Sequence, residues 1–183
     1  MEIVKSLQNQ KIVKCFLIII VGSILLTVSA KIKIPFYPVP MTMQTFVVLF
    51  LGISLGYKIG LATVSLYLLE GIIGIPVFSN SPEKGVGLTY FTGPTMGYLI
   101  GFLISVFLAG KFNFNKNIFY NFLKLIICIL PVYILGLFWL GSLIGWEKPI
   151  LQLGMKPFLL AELFKITILA LLANNIVKIK KII

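Results

Sequence analysis

The sequence predicts an all-α integral membrane protein: six transmembrane helices in one compact bundle spanning residues 1–183, with an outward-facing ligand pocket. Three observations predict it. Of 183 residues, 59% are hydrophobic and 11% charged, and mean hydropathy is +1.07; soluble domains stand near half apolar and about a quarter charged. Apolar runs recur at close to the ~20 residues a helix needs to cross a bilayer, and none alternates as a barrel strand would. One long stretch, Gly71 to Gly101, breaks the apolar pattern with turn-forming residues.

The spans fall near 12–30, 40–55, 57–75, 92–110, 118–140 and 157–177. The segment before the first, MEIVKSLQNQKIVK, is polar and leads into the span without a cleavage-like site, so it reads as a cytoplasmic amphipathic lead-in. Span 1 carries Gly22 beside the small pair Ser23 and Thr27, residues that let helices approach closely in lipid. The loop 31–41 holds Pro35, Pro38 and Pro40 and cannot be helical, because each proline lacks a donor and biases its predecessor to extended backbone. Thr42 is placed to cap span 2, and Gln44 sits near the membrane interior, where an unpaired amide is costly. Gly52, Gly56 and Gly60 mark close packing and a tight turn between spans 2 and 3. Glu70, near the outer end of span 3, is either a solvated interfacial carboxylate or a pocket carboxylate, the first being favoured.

Within 71–101, residues Ser79 to Lys84 form a polar loop, which is either an ordinary extramembrane connection or a lid over a pocket. A membrane protein keeps irregular polar backbone only where it meets water, protein or ligand. Gly93-Pro94-Thr95 opens span 4, where free backbone N–H groups can receive an anion. Gly97 and Gly101 are expected to keep one face open, beside the aromatic hydroxyl of Tyr98. Pro131 predicts a kink in span 5, and Trp146 an interfacial anchor.

Charge fixes orientation and excludes several functions. The net charge is +11 without any arginine, and the lysines lie between apolar runs instead of forming a dense basic face, so nucleic acid is discounted as a partner. With six spans, Lys5, Lys11, Lys14, Lys58, Lys111, Lys116, Lys124, Lys178, Lys180 and Lys181 share one side, against Lys31, Lys33, Lys84, Lys148 and Lys156; ten against five places both termini in the cytoplasm. Lys31 and Lys33 are the discordant pair. The chain has no His and no Asp, which argues against metal clusters and histidine-based acid–base catalysis. Cys15 and Cys128 lie in apolar runs and read as buried thiols.

The sharpest chemical signal is Glu162 with Lys165, three apart on one helical face inside span 6. Ionisable groups in a span cost about 2.5–3.5 kcal/mol each on insertion scales and mark function by default. The alternative is a mutually neutralising pair at the outer interface.

Three separated segments carry a family resemblance. IGIPVF (Ile73–Phe78) with GPTMGYLIGF (Gly93–Phe102), PVPMTMQTF (Pro38–Phe46) and PFLLAELFK (Pro157–Lys165) resemble, in order and spacing, the BioY family of biotin transporters. That family comprises substrate-capturing S components of energy-coupling-factor (ECF) vitamin transporters. The resemblance implies a membrane protein of the cell surface that takes biotin as substrate, holds no cofactor, is not an enzyme, and works with a transmembrane scaffold subunit and two ATPase subunits. No G-x-x-x-x-G-K-[ST] phosphate loop occurs in this chain. The resemblance also implies a docking role for small residues on span 1 and a first loop dipping toward the pocket, bringing Phe36, Tyr37 and Gln44 near ligand. Glu162 would accept the ureido N–H groups of biotin and Lys165 would donate to its carbonyl; Asn80 would add a donor and an acceptor. Phe36 and Tyr98 would cover the thiophane ring and valeryl chain. Glu162 stands where an Asp is commoner, and Asn80 rests on a loop of variable length. Capture of another vitamin is the near alternative. A membrane enzyme would have only Glu162 and Glu70 as bases, and a scaffold would not need a charged pair in a span.

Overall fold

The computed structural model describes residues 2–35 and 37–180, with backbone alone for residues 2–9. Phe36, Lys181 and the side chain of Lys5, all used in the readings above, lie outside the described residues. The chain is mostly helical. Helix α1 (Glu2–Lys31) includes the polar lead-in and stops before the prolines; strands β1 (Lys33–Ile34) and β2 (Met41–Thr42) then form a small antiparallel ribbon pairing Lys33 with Thr42 and Ile34 with Met41. Next come α2 (Gln44–Ile72), α3 (Leu88–Phe91), α4 (Met96–Lys111), α5 (Ile118–Ile144), α6 (Ile150–Gly154), a 3-10 turn (Lys156–Phe158) and α7 (Leu159–Ile179).

Among the described residues four segments are long and apolar enough to cross a membrane, Gln10–Lys31, Gln44–Ile72, Ile118–Ile144 and Ile150–Ile179, with Met96–Lys111 shorter. The expected spans 2 and 3 thus run on as α2, interrupted by Gly56 at φ 76°, ψ 173°. That backbone belongs to glycine, because a Cβ there is strained. The chain doubles back at this point. A methyl group on Gly60 would lie 3.6 Å from the Cα of Gly52, whereas residues eight apart in a straight helix stand ~12 Å apart. Span 4 starts later than expected, at Met96, since Leu88–Phe91 makes a separate short turn of helix.

Small residues set the close approaches. Gly52 faces Ala109 and the Val106 carbonyl on α4. Gly22 packs against Thr63 and Leu51 of α2, and Ser23 is fully buried, so the small face of α1 is used inside the bundle. The face of α4 expected to stay open is filled: Gly97 lies against Leu135 and Trp139, and Gly101 against Pro131 and Val132 of α5. α5 continues through Pro131. The carbonyl of Cys128, one turn before that proline, accepts the Ser105 hydroxyl.

Val48, Leu49, Val64, Tyr67, Val106, Leu125 and Leu169 form the interior. Large apolar side chains cover the outside, among them Phe16, Val21 and Ile24 on α1, Ile127, Ile134 and Phe138 on α5, and Leu160 and Phe164 on α7. A continuous apolar exterior of this kind matches lipid, not water. Trp146 is exposed and tilted against Phe138. Lysines gather at the Gly56 end: Lys111 lies over the Tyr57 ring, the Lys180 side chain reaches Gly56, and Lys124 donates to the Asn113 carbonyl.

Helix α4 meets α5 without room for a side chain. A Cβ on Gly101 would sit 2.5 Å from the Cα of Val132. Gly101→Val should therefore lower the thermal midpoint of the detergent-solubilised protein, with overpacking costing about 1–3 kcal/mol or more. Leu160→Ala, at a position 84% exposed, should leave the midpoint near wild type in the same fluorescence melt.

Candidate functional site

Opposite the Gly56 end, the ribbon, the 71–95 connection and the facing ends of α2, α4, α5 and α7 enclose a cavity. Its lining includes Val39–Thr42 from the first loop, Gln44 and Thr45 from α2, Phe78, Ser79 and Tyr90 from the connection, Tyr98, Leu99 and Phe102 from α4, Val132 and Tyr133 from α5, and Phe158, Glu162 and Lys165. About 570 Å³ of empty space lies between these residues, counting the open mouth. The mostly apolar lining with a few placed polar groups is typical of small-molecule pockets.

The polar floor is the Glu162–Lys165 pair. Both side chains are 6% exposed, with Nζ to Oε2 at 3.0 Å. Burying two charges is expensive unless hydrogen bonds complete each of them. An ammonium has three donors, and Lys165 uses all three: to Glu162 Oε2, to the Thr45 hydroxyl at 2.6 Å and to the Thr42 carbonyl at 3.1 Å. Glu162 Oε2 also accepts from Thr45 Oγ1 at 3.1 Å and from the Tyr133 hydroxyl at 3.2 Å. The other oxygen, Glu162 Oε1, is buried with no hydrogen-bond partner, the one such side-chain atom among the described residues. A buried acceptor left empty costs about 1–3 kcal/mol, more when charged, and here its residue lines the cavity.

Loop and lid are tied to this floor. The Thr42 hydroxyl takes the Gln44 backbone N–H at 3.3 Å and donates to Gln44 Oε1 at 3.1 Å. Gln44 Nε2 donates to the Tyr67 hydroxyl at 2.8 Å, which donates to the Val77 carbonyl at 3.3 Å. Tyr90 OH lies 3.1 Å from Ser79 Oγ, and its ring stacks on Phe78 at 4.9 Å. Phe78 in turn sits directly over Gly71, where a Cβ would meet its ring at 2.0 Å. Phe78, Ser79 and Tyr90 of the 71–101 stretch thus line the pocket.

Of the residues singled out from the sequence, Glu162, Lys165, Gln44 and Tyr98 come together around the cavity. Tyr98 offers its ring, since its hydroxyl already donates to the Gly154 carbonyl at 2.9 Å. Asn80 stands off the lining, where its Oδ1 accepts from Lys33 at 3.0 Å. Glu70 is also away from the cavity, accepting the Ser23 hydroxyl across the α1–α2 contact. Sequence reasoning missed Thr45 and Tyr133. Each is a common residue in an apolar run, and their contacts with Glu162 span 117 and 29 positions. The one available signal was position: Thr45 directly follows Gln44 and stands three residues after Thr42.

Known proteins resemble this chain in sequence and in fold. The sequence matches the BioY family model over residues 4–181. It is 36% identical to the biotin transporter BioY of Thermotoga maritima, covering 85% of this chain and 91% of that one. It is 32% identical to the probable biotin transporter BioY of Pyrococcus horikoshii, covering 83% and 89%. A crystal structure of the S-component for biotin from an ECF-type ABC transporter has a TM-score of 0.77 with this one over 93% of this chain and 94% of that chain, at 24% identity, a likeness of fold. With nearly the whole sequence matched and full-length relatives above 30% identity, the chain belongs to the BioY family.

Proposed function

We propose that this protein captures biotin as the substrate-binding subunit of an ECF-type transporter, and that it makes no covalent change to its ligand. The observation that carries the reading is Glu162 Oε1, a buried acceptor without a partner at the wall of a largely apolar cavity. A ureido ring supplies N–H donors, and an ionised carboxylate can only accept; a hydrogen bond to a charged acceptor is the stronger kind. Lys165 grips Oε2, which leaves Oε1 as the free face of Glu162. Lys165 reaches a ligand carbonyl by exchanging one of its present acceptors for it. Phe78, Leu99, Phe102, Val132, Phe158 and the Tyr98 ring suit an apolar ring and chain. Asn80 and Phe36 are further proposed contacts that rest on the family resemblance alone.

In this reading the chain crosses the cell membrane six times, with Gly56 as the turn between spans 2 and 3 and both termini cytoplasmic. The pocket then opens outward. A membrane scaffold subunit and two ATPases supply energy.

Calorimetry of the purified protein tests the substrate. Wild type should bind biotin, and Glu162→Gln should bind it about ten- to hundredfold more weakly, the loss of a charge-assisted bond of ~1.5–3 kcal/mol. Lys165→Met should weaken binding as well, and the double variant should lose less than the sum, because the two groups touch one ligand and each other. Tight binding of a different vitamin with no binding of biotin would refute the substrate, and Lys165→Met within about twofold of wild type would remove the pair from the pocket.

Orientation has its own test. In a background lacking Cys15 and Cys128, Lys84→Cys should react with an impermeant thiol reagent on intact cells and Asn115→Cys should not. The reverse pattern would invert the topology.

A further inference from the structure

Lys31 and Lys33 are the two lysines that run against the charge bias, and both are engaged with the lid. Lys31 Nζ donates to the carbonyls of Phe78 at 2.7 Å and Ser81 at 2.8 Å, with the Ser81 hydroxyl at 3.5 Å. Lys33 Nζ donates to the Ser79 carbonyl at 2.7 Å and to Asn80 Oδ1 at 3.0 Å, with Glu83 Oε2 at 3.4 Å. Two ammonium groups from the first loop thus gather the main-chain carbonyls of three lid residues, Phe78, Ser79 and Ser81. Phe78 and Ser79 line the cavity themselves. The ribbon continues the connection inward: Lys33 pairs with Thr42, whose carbonyl receives Lys165. Glu83 is the one carboxylate on this cluster and its side chain is 74% exposed, so the lysines are held chiefly by carbonyl dipoles.

We propose that Lys31 and Lys33 form a clamp that keeps the lid shut over the pocket and thereby sets how fast ligand passes in and out, not how tightly it is held. Ligand must then wait for the carbonyls of residues 78–81 to leave both ammonium groups before it can pass in either direction. Because the clamp must open and re-form alike for entry and for release, loosening it raises both rates and leaves their ratio almost unchanged. A residue that touches ligand would instead change dissociation and affinity together. Neither lysine borders the cavity.

The inference rests on the biotin reading only for the choice of ligand, and two measurements keep the two separate. The first needs no ligand. In a background lacking Cys15 and Cys128, Leu99→Cys places a thiol on a cavity wall that is 4% exposed. Its reaction with a water-soluble thiol reagent should quicken at least threefold when Lys31→Met and Lys33→Met are added, and about tenfold if each lost ammonium frees the lid independently. The second is stopped-flow binding of biotin to the full chain with native Leu99. The double variant should show faster association and faster dissociation, with Kd within threefold of wild type. Labelling that rises less than threefold overturns the clamp, as does a Kd shift beyond threefold. Should the double variant fail to yield monodisperse protein, Lys33→Met alone, on the more exposed of the loop–lid contacts, is held to the same thresholds. If wild type binds no biotin, the substrate reading falls and the labelling result still decides the clamp.

Discussion

The Lys165 ammonium is the constraint that the pocket is built to satisfy. A buried charge without partners is costly, and the three acceptors that complete this one come from three places: the Thr42 carbonyl on the ribbon, the Thr45 hydroxyl on α2 and Glu162 one turn earlier on α7. Each acceptor fixes the register of its element against α7. Since Thr45 gives its own proton to Glu162 Oε2 while receiving one from Lys165, the three side chains form a closed set. What remains outside the set is a single carboxylate oxygen, Glu162 Oε1, of a residue that lines the cavity.

The same logic extends outward. The ribbon that delivers Thr42 also carries Lys33, and α2, which delivers Thr45, also carries Gln44 and Tyr67, which reach the Val77 carbonyl. Floor, first loop and lid are therefore one polar network threaded through an apolar bundle. Its bonds lie at the end of the molecule where backbone is irregular, which is where a membrane protein can tolerate polar groups.

Most of the helical architecture was legible because lipid imposes simple rules. A continuous apolar run must be helical, prolines at 35, 38 and 40 must end a helix, and three glycines at 52, 56 and 60 announce a turn with close packing. Glu162 and Lys165 were legible because a span tolerates such residues only for a reason. What was not legible depends on contacts between distant positions. Nothing in the sequence distinguishes Tyr133 from lipid-facing or packing residues of the same type, and Thr45 is marked only by its nearness to Thr42 and Gln44. Gly97 and Gly101 mark a place where something comes close, and only the fold shows that it is α5. Lys31 and Lys33 looked like noise in a charge count because the count treats lysines as solvated, whereas these two are ligated by backbone. Asn80 was placed by motif in a loop whose path the motif does not determine, and that path carries it to Lys33 at the rim.

The shortness of α4 has a consequence for the membrane itself. Its 16 residues extend ~24 Å, several ångströms less than the ~30 Å of a typical hydrocarbon core. Hydrophobic mismatch of this sign draws the two leaflets together around the short element, at a fraction of a kcal/mol per ångström. Thinning of that kind shortens the hydrocarbon path beside the element.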